Sequence, residues 1–386
     1  MPDGSIQSVQ PDFDALHASG MSSLAEPAPA VVLPGLLQKG RGAVTNPASR
    51  YDKARSAPVD DGWSFLTGDE LTAPPRRTEL LRDTSRSAVA WNDSPDVGFD
   101  RAVNPYRGCE HGCIYCYARP SHAYLGYSPG LDFETKIVFK PDVAKLLERE
   151  LSRPGYQPRT MGLGSNTDPY QPVERTLRLT RSVLEVLERF GHPVSIVTKS
   201  AGVLGDLDIL ERMAAKGLVR VWLSVTTLDP ALARIMEPRA STPARRLQAI
   251  EALSAAGVPT GVLAAPMIPG LNDPELERIM DEAHKAGARH AGYTLLRLPL
   301  ELRDMFAAWL EEHVPDRARR VLALIRDTRA GQLNDSRFGQ RFTGEGAYAG
   351  LLSQRFHRAR RRLGYQGRDV LDASQFRVPT AQMSLL

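Results

Sequence analysis

Cysteine is almost absent from this 386-residue sequence: the chain has three, Cys109, Cys113 and Cys116, all within eight positions. So small a supply excludes a disulfide scaffold, and an odd count cannot be fully paired within the chain. Reduced thiols make the cytoplasm the expected compartment. No run of 18 or more apolar residues occurs, so neither a transmembrane helix nor a membrane partner is expected. The opening MPDGSIQSVQPDFDALHASG lacks the apolar stretch of a secretory signal and is not read as one. Neither sign of charge dominates, with 49 Lys and Arg against 45 Asp and Glu. A net +4 permits contact with nucleic acid without requiring it.

What the sequence does contain is core material, with 42% hydrophobic and 24% charged residues. The length allows one large domain with appendages or two domains. Residues 1–75, with the proline-rich LAEPAPAVVLPG and LTAPPRRTE, read as a poorly structured arm that packs in part on the main body. From Ala102 onward, β-branched runs alternate with amphipathic stretches, which predicts βα units on a parallel sheet within residues 76–300. The predicted strands are 102–107, 160–166, 194–199, 219–226, 259–268 and 290–297, with KIVFK (136–140) as an extra short strand. Helices are predicted from DVAKLLEREL, TLRLTRSVLEVLERFG, TPARRLQAIEALSAAG and DPELERIMDEAHKAG. Gly191 and Gly257 end two of them, Ser241 or Thr242 caps the third, and Asp273 with Pro274 starts the fourth. Six such repeats give an open doubly wound sheet or a partial (β/α) barrel, and in both ligands sit at the carboxyl ends of the strands. Residues 301–386 read as a helical, basic extension. Its YAGLLSQRFHRARRRLG forms either a nucleic-acid patch or a solvated helix that turns Leu351, Leu352 and Phe356 inward.

Three clustered thiols allow three readings. One is a Cys3His zinc site with His111 or His122 as fourth ligand. Another is a set of buried structural cysteines. The third is a [4Fe–4S] cluster on three thiolates, which leaves one iron open where four thiolates are usual. A structural zinc site generally joins two separated ligand pairs, and no distant second pair of cysteines exists.

The spacing Cys109-x3-Cys113-x2-Cys116, with aromatic Tyr115 before the last cysteine, resembles the signature of the radical S-adenosylmethionine superfamily. SNTDPYQPVE, VTKS, WLSVTT and MEPRASTPARRLQAIEALSAAGVPTGVLAAPMIPG extend the likeness from Ala102 to Pro299 and bring it nearest the spore photoproduct lyase group. The resemblance implies an α/β fold, a partial (β/α)6 TIM-like barrel of the radical SAM type with an N-terminal arm and a C-terminal extension. It implies a [4Fe–4S] cluster on Cys109, Cys113 and Cys116 whose open iron binds the amine and carboxylate of S-adenosylmethionine. An external donor of flavodoxin or ferredoxin type supplies one electron. The sulfonium bond then breaks to give methionine and a 5′-deoxyadenosyl radical, which takes a hydrogen atom from substrate.

The same resemblance assigns cofactor contacts beside Tyr115. Asn166, Thr167 and Asp168 follow the second strand, where the superfamily holds the methionine ammonium; a turn and helix cap would need the same residues. Lys199 matches a lysine that contacts the cofactor, although an exposed strand-end lysine reads alike. Ser224 shares a strand face with Trp222 and Thr226 and reaches ribose or methionine oxygens if that face points inward. Arg239 pairs with a cofactor carboxylate or with Glu237. Ile268, Pro269 and Gly270 resemble the turn that flanks adenine. One departure stands out: where spore photoproduct lyase has a cysteine that returns hydrogen to its product, this chain has Asn166, with Tyr170 and Tyr293 as substitutes. Substrate identity is therefore not carried over. The rival functions are DNA-lesion repair by the same chemistry and a zinc-stabilised nucleic-acid-binding protein without catalysis.

Overall fold

The structure, a computed structural model, describes residues 40–51, 77–367 and 370–379. Most of the expected N-terminal arm, 1–39 and 52–75, lies outside the described residues. The described residues form ten strands: β1 (Glu79–Arg82), β2 (Val89–Trp91), β3 (Arg101–Val103), β4 (Tyr106–Arg107), β5 (Lys136–Phe139), β6 (Met161–Leu163), β7 (Val194–Thr198), β8 (Val219–Ser224), β9 (Thr260–Met267) and β10 (His290–Leu295). The main sheet has seven strands in the order β10-β9-β8-β7-β6-β3-β2. Six are parallel and neighbour one another in chain order, as right-handed βα repeats require; β2 adds an antiparallel edge. The sheet does not close, so the architecture is a partial (β/α)6 barrel. The predicted first strand divides: 101–103 joins this sheet, whereas 106–107 turns away to pair with β5 in a small β1-β5-β4 sheet.

Alternation along the strands separates two faces. Val221 and Leu223 of β8 are fully buried in the helix-side core with Ile250 and Leu253 of helix Pro243–Ala255. Trp222 lies over Gly261 on the opposite, inner face, and Ser224 shares that face at the carboxyl end of β8. On β6 the inner position is Gly162. A Cβ there would meet the Phe99 ring at 2.8 Å, so only glycine admits this aromatic filling.

Thr242 caps helix Pro243–Ala255 through the N–H of Arg245, with Pro243 at the first position, as expected. The long predicted helix before Gly191 is broken instead into Glu174–Leu177 and Leu179–Phe190 at Arg178, whose φ is 51°. Glu174 stabilises the break, because its carboxylate accepts the N–H groups of Leu179 (3.1 Å) and Thr180 (2.9 Å) that the second helix leaves free. Asp273 does not cap helix Leu276–Lys285. It opens a single 3-10 turn, accepts from Gly270 N (2.6 Å) and receives the Tyr348 hydroxyl (2.8 Å).

After β10 come helices Leu302–His313, Pro315–Asp327 and Gly346–Leu363. The first two build a second apolar cluster, in which Trp309, Phe306 and Ile325 pack with Ile114, Tyr115 and Ile268. The third turns Leu352 and Phe356 inward; Leu351 is 51% exposed, contrary to expectation. Two of its arginines are already paired, Arg355 with Glu277 and Arg362 with Asp281, as on a solvated helix face. Among the described residues no helix is long and apolar enough to cross a membrane.

Candidate cluster-binding site

The three cysteines lie on the loop that follows β3 and β4, beside the carboxyl ends of the parallel strands. Cys109 and Cys113 are buried and Cys116 is half-buried. Tight turns fold the loop: Gly112 N donates to Cys109 O, Cys116 N to Cys113 O and Arg119 N to Cys116 O. Burial, then the Asp168 carboxylate, then the other two thiols push Cys109 well above the ordinary thiol range. Burial and Glu237 push Cys113 up as well, against a smaller pull from Lys199. Cys109 and Cys113, each pushed up in part by neighbouring thiols, belong to a donor set that needs a cationic centre. Among the described residues no three His, Cys, Asp or Glu side chains are arranged to hold a single metal ion. A polynuclear cluster makes a different demand, since each thiolate takes its own iron. The donor set fits that group.

Arg119 holds the loop in shape. It is completely buried, and its guanidinium donates to Cys113 O (2.9 Å), Gly112 O (3.0 Å), Pro129 O (3.1 Å), Gly130 O (3.0 Å) and Glu134 Oε1 (2.5 Å). Glu134 also accepts from Gly42 N (3.0 Å) and Ala43 N (2.8 Å), which brings segment 40–51 onto the loop. Gly42 is placed so that a Cβ would stand 1.9 Å from Gly112 O, so only glycine permits the contact.

A second network ties the loop to β8. The Tyr115 hydroxyl donates to Glu237, and Thr226 donates to the same carboxylate at 2.6 Å. Glu237 is paired with Arg246, whose other N–H groups reach Ser224 O (2.9 Å) and Ser241 O (2.7 Å). Arg239 therefore does not pair with Glu237. Its partner is Glu110, at 3.2 Å.

The expected cofactor residues gather on the same side. Asp168 spends its oxygens locally: Oδ1 accepts from Thr198 (2.6 Å) and Tyr170 N (2.9 Å), Oδ2 from Lys199 N (2.7 Å), with His111 Nδ1 at 3.3 Å. Burial alone would raise its pKa, but His111 and these hydrogen bonds outweigh it and hold the group at about 2. Its backbone N–H faces the Cys109 thiol. Thr167 donates to Tyr106 O (3.0 Å), and Asn166 N donates to Asn104 Oδ1 (3.0 Å). The Lys199 ammonium sits 5.7 Å from the Tyr115 ring centroid and forms no ion pair with a described residue. Ser224 is buried, and its hydroxyl bonds to no described residue. Ile268 is fully buried in the apolar cluster with Tyr115; its N–H donates to Asn272 Oδ1 (2.6 Å), which shapes the turn ending at Gly270. Neither histidine of the zinc reading joins the thiols in a group that could hold a single metal ion among the described residues. His111 faces Asp168, and His122, brought down to about 4 by burial, packs between Tyr127 and Phe133. The tyrosine substitutes have other partners: Tyr170 donates to Asp206, and the Tyr293 ring lies tilted against Phe356 of the C-terminal helix.

Arg119, Glu134 and Arg246 carry no signal in the sequence, and Glu237 is read there only as a possible partner of Arg239. A buried charge carries no local signature there, although Arg119 sits inside the quoted cysteine stretch.

Residues 103–283 match the Radical SAM superfamily. An uncharacterized protein of Mycobacterium tuberculosis is 39% identical over 242 residues, which cover 61% of this chain and 71% of that protein. An uncharacterized protein of Methanocaldococcus jannaschii is 27% identical over 199 residues, 52% of this chain and 71% of its own. Among solved structures, spore photoproduct lyase complexed with dinucleoside spore photoproduct superposes with a TM-score of 0.53 at 18% identity, over 74% of this chain and 79% of that one. A mutant of the lyase with bound AdoMet and dinucleoside spore photoproduct gives 0.51 at 18%, over 74% and 78%. At such identities the likeness speaks for the fold alone. Taken with the cysteine spacing and the matched span, the open parallel sheet leads to one assignment: the chain belongs to the Radical SAM superfamily.

Proposed function

We propose that this protein is a radical SAM enzyme that holds one [4Fe–4S] cluster on Cys109, Cys113 and Cys116 and binds S-adenosylmethionine beside it. The observation that carries the reading is the donor set: three thiols on one largely buried loop, and no fourth cysteine in the chain. When bound, the cluster and S-adenosylmethionine would supply one-electron cleavage of a sulfonium bond and abstraction of a hydrogen atom from substrate. The protein's part is to bind, orient and keep water out. Lys199, which has no ion-pair partner among the described residues and lies next to Tyr115, is suited to the methionine carboxylate. The Ser224 hydroxyl, which bonds to no described residue, is suited to ribose or carboxylate oxygens. Asp168, held ionised, positions the Lys199 and Cys109 ends of the pocket and adds negative potential for the ammonium. Asn166, Thr167, Arg239 and the Ile268 turn complete the wall. Electrons come from an external flavodoxin- or ferredoxin-type donor.

The test is anaerobic reconstitution followed by incubation with reductant and S-adenosylmethionine. About four irons and four sulfides per chain and slow release of 5′-deoxyadenosine are expected, with the cluster lost on replacing any of the three cysteines by Ala. Protein that repeatedly binds one zinc and no iron would overturn the reading.

A further inference from the structure

The amino-terminal ends of β3 and β6 lie opposite the cysteine loop and carry a second concave site. A cavity of about 450 Å³ opens there between the edge strand β2 and the turn that leads into β6. Its most unusual feature is Trp91, which is 54% exposed although it belongs to a sheet strand. An aromatic face left open in a concavity offers a surface on which a second flat ring can stack.

One face of the ring is already occupied. The Arg101 guanidinium lies 4.5 Å from the Trp91 centroid and 5.2 Å from that of Tyr156, as the middle layer of a Trp-Arg-Tyr stack. Arg101 is locked in place: Nε and Nη2 take both oxygens of Asp100 (2.7 and 3.1 Å), and Nη1 donates to Gln157 O at 2.5 Å. The stack is thus a rigid platform, built before any ligand arrives, with the outer face of Trp91 left open.

The charge around it is positive where it is accessible. Arg153 and Arg159 line the same cavity and are exposed. Arg159 has only a 3.3 Å contact with Asp100, whose charge Arg101 already uses, and its side chain is 72% exposed. The second carboxylate, Glu150, is turned inward, where it accepts Ala88 N (2.8 Å) and Val89 N (3.2 Å). A planar ring beside two accessible guanidinium forks suits a planar, π-rich group that carries phosphate.

We infer that this cavity binds a nucleoside phosphate, free or as one unit of a single strand, with its base on the open face of Trp91 and its phosphate on Arg153 and Arg159. The site lies at the opposite ends of the strands from the cluster loop, so it would tether or sense a ligand and take no part in the chemistry.

The experiment is calorimetric titration of the full chain with AMP, with a ten-residue thymidine strand, and with adenosine and inorganic phosphate as partial ligands. AMP or the strand should bind, more weakly as salt rises, while adenosine and phosphate alone bind less well. Tighter binding of the strand than of AMP would identify a polymer as the natural source. Trp91→Ala should lower affinity by about tenfold or more, as loss of a stacking platform does. Arg153→Glu should do the same through charge. Lys199→Ala, in the proposed S-adenosylmethionine pocket, should leave this binding unchanged, which separates the two sites. Failure of both AMP and the strand to bind overturns the inference. So does binding that survives Trp91→Ala and Arg153→Glu or is abolished by Lys199→Ala. Because both altered side chains are exposed, iron content should match wild type.

Discussion

Arg119 and Glu134 form an ion pair 2.5 Å long in which neither side chain has any exposure to solvent. Every other N–H that Arg119 uses goes to a backbone carbonyl of the cysteine loop or of the turn beneath it. The pair therefore fixes the path of the loop instead of simply adding attraction. Breaking one partner of such a pair strands a buried charge, at a cost of about 3–5 kcal/mol. Arg119→Lys, which keeps the charge and loses the fork, should lower the urea midpoint sharply and reduce iron per chain after reconstitution. An unchanged midpoint would mean that the loop is held by other contacts.

Tyr115 and Glu237 allow a graded test of the second network. Tyr115→Phe removes one donor from a carboxylate that keeps Arg246 and Thr226, so a loss of about 1–2 kcal/mol with full iron content is expected. Glu237→Ala leaves Arg246 buried and unpaired and should cost about 3–5 kcal/mol. The order of the two unfolding midpoints is the measurement, and a reversed order would contradict the network.

Lys199 bears on the proposed cofactor pocket. Lys199→Ala should weaken S-adenosylmethionine binding by about tenfold to a hundredfold, the usual worth of one hydrogen bond to a charged group, and leave iron and sulfide unchanged. Equilibrium dialysis of the reconstituted protein checks this, and wild-type affinity in the variant would move the carboxylate elsewhere.

Glu174 gives a pH signature. Burial raises its carboxyl to about 7 from an ordinary 4.5, despite the hydrogen bonds it accepts. Between those values the folded chain keeps a proton that the unfolded chain has released. Stability from this group is thus fully present below about pH 4.5 and is lost as pH rises to about 7, by about 3 kcal/mol at most. Urea midpoints at pH 5 and 7.5 should differ less in Glu174→Gln than in wild type. An equal difference would show that Glu174 ionises normally.

Spore photoproduct should be a poor substrate. Hydrogen abstraction from such a lesion leaves a product radical that must regain hydrogen, and a thiol donates it well. The proposed cluster would take all three thiols, Asn166 has no weak bond to offer, Tyr170 is bound to Asp206 and Tyr293 faces the C-terminal helix. An anaerobic assay with lesion-bearing dinucleotide decides the matter, and multiple-turnover conversion to two thymines would refute it.

The parts legible in the sequence are those whose signal is local. Three cysteines in eight positions and short β-branched runs before amphipathic helices carry their meaning within a few residues, and the six parallel strands lie where those runs are. The edge strand β2 is only three residues long, too short for a period. The break at Arg178 was hidden because apolar periodicity runs straight through it, and only the Glu174 carboxylate reveals it. Arg239 shows the general difficulty. Glu237 is two residues away in sequence and Glu110 far off, yet the distant carboxylate is the partner because Arg246 already holds the near one.

The segment after residue 328 deserves a last consequence. Phe342 O accepts from Leu295 N at 2.8 Å, extending the β10 edge, while Arg341 pairs with Asp96 (2.7 Å) and Gly339 N donates to the same carboxylate (2.8 Å) in the loop between β2 and β3. One strap thus joins the two free margins of the open sheet. Arg297 sits between Phe342 and Tyr117, the residue after Cys116. The stretch that matches the superfamily ends at residue 283, before any of the strap begins. The strap and the cysteine loop can therefore vary separately, so a chain that keeps the cysteine spacing need not keep the strap.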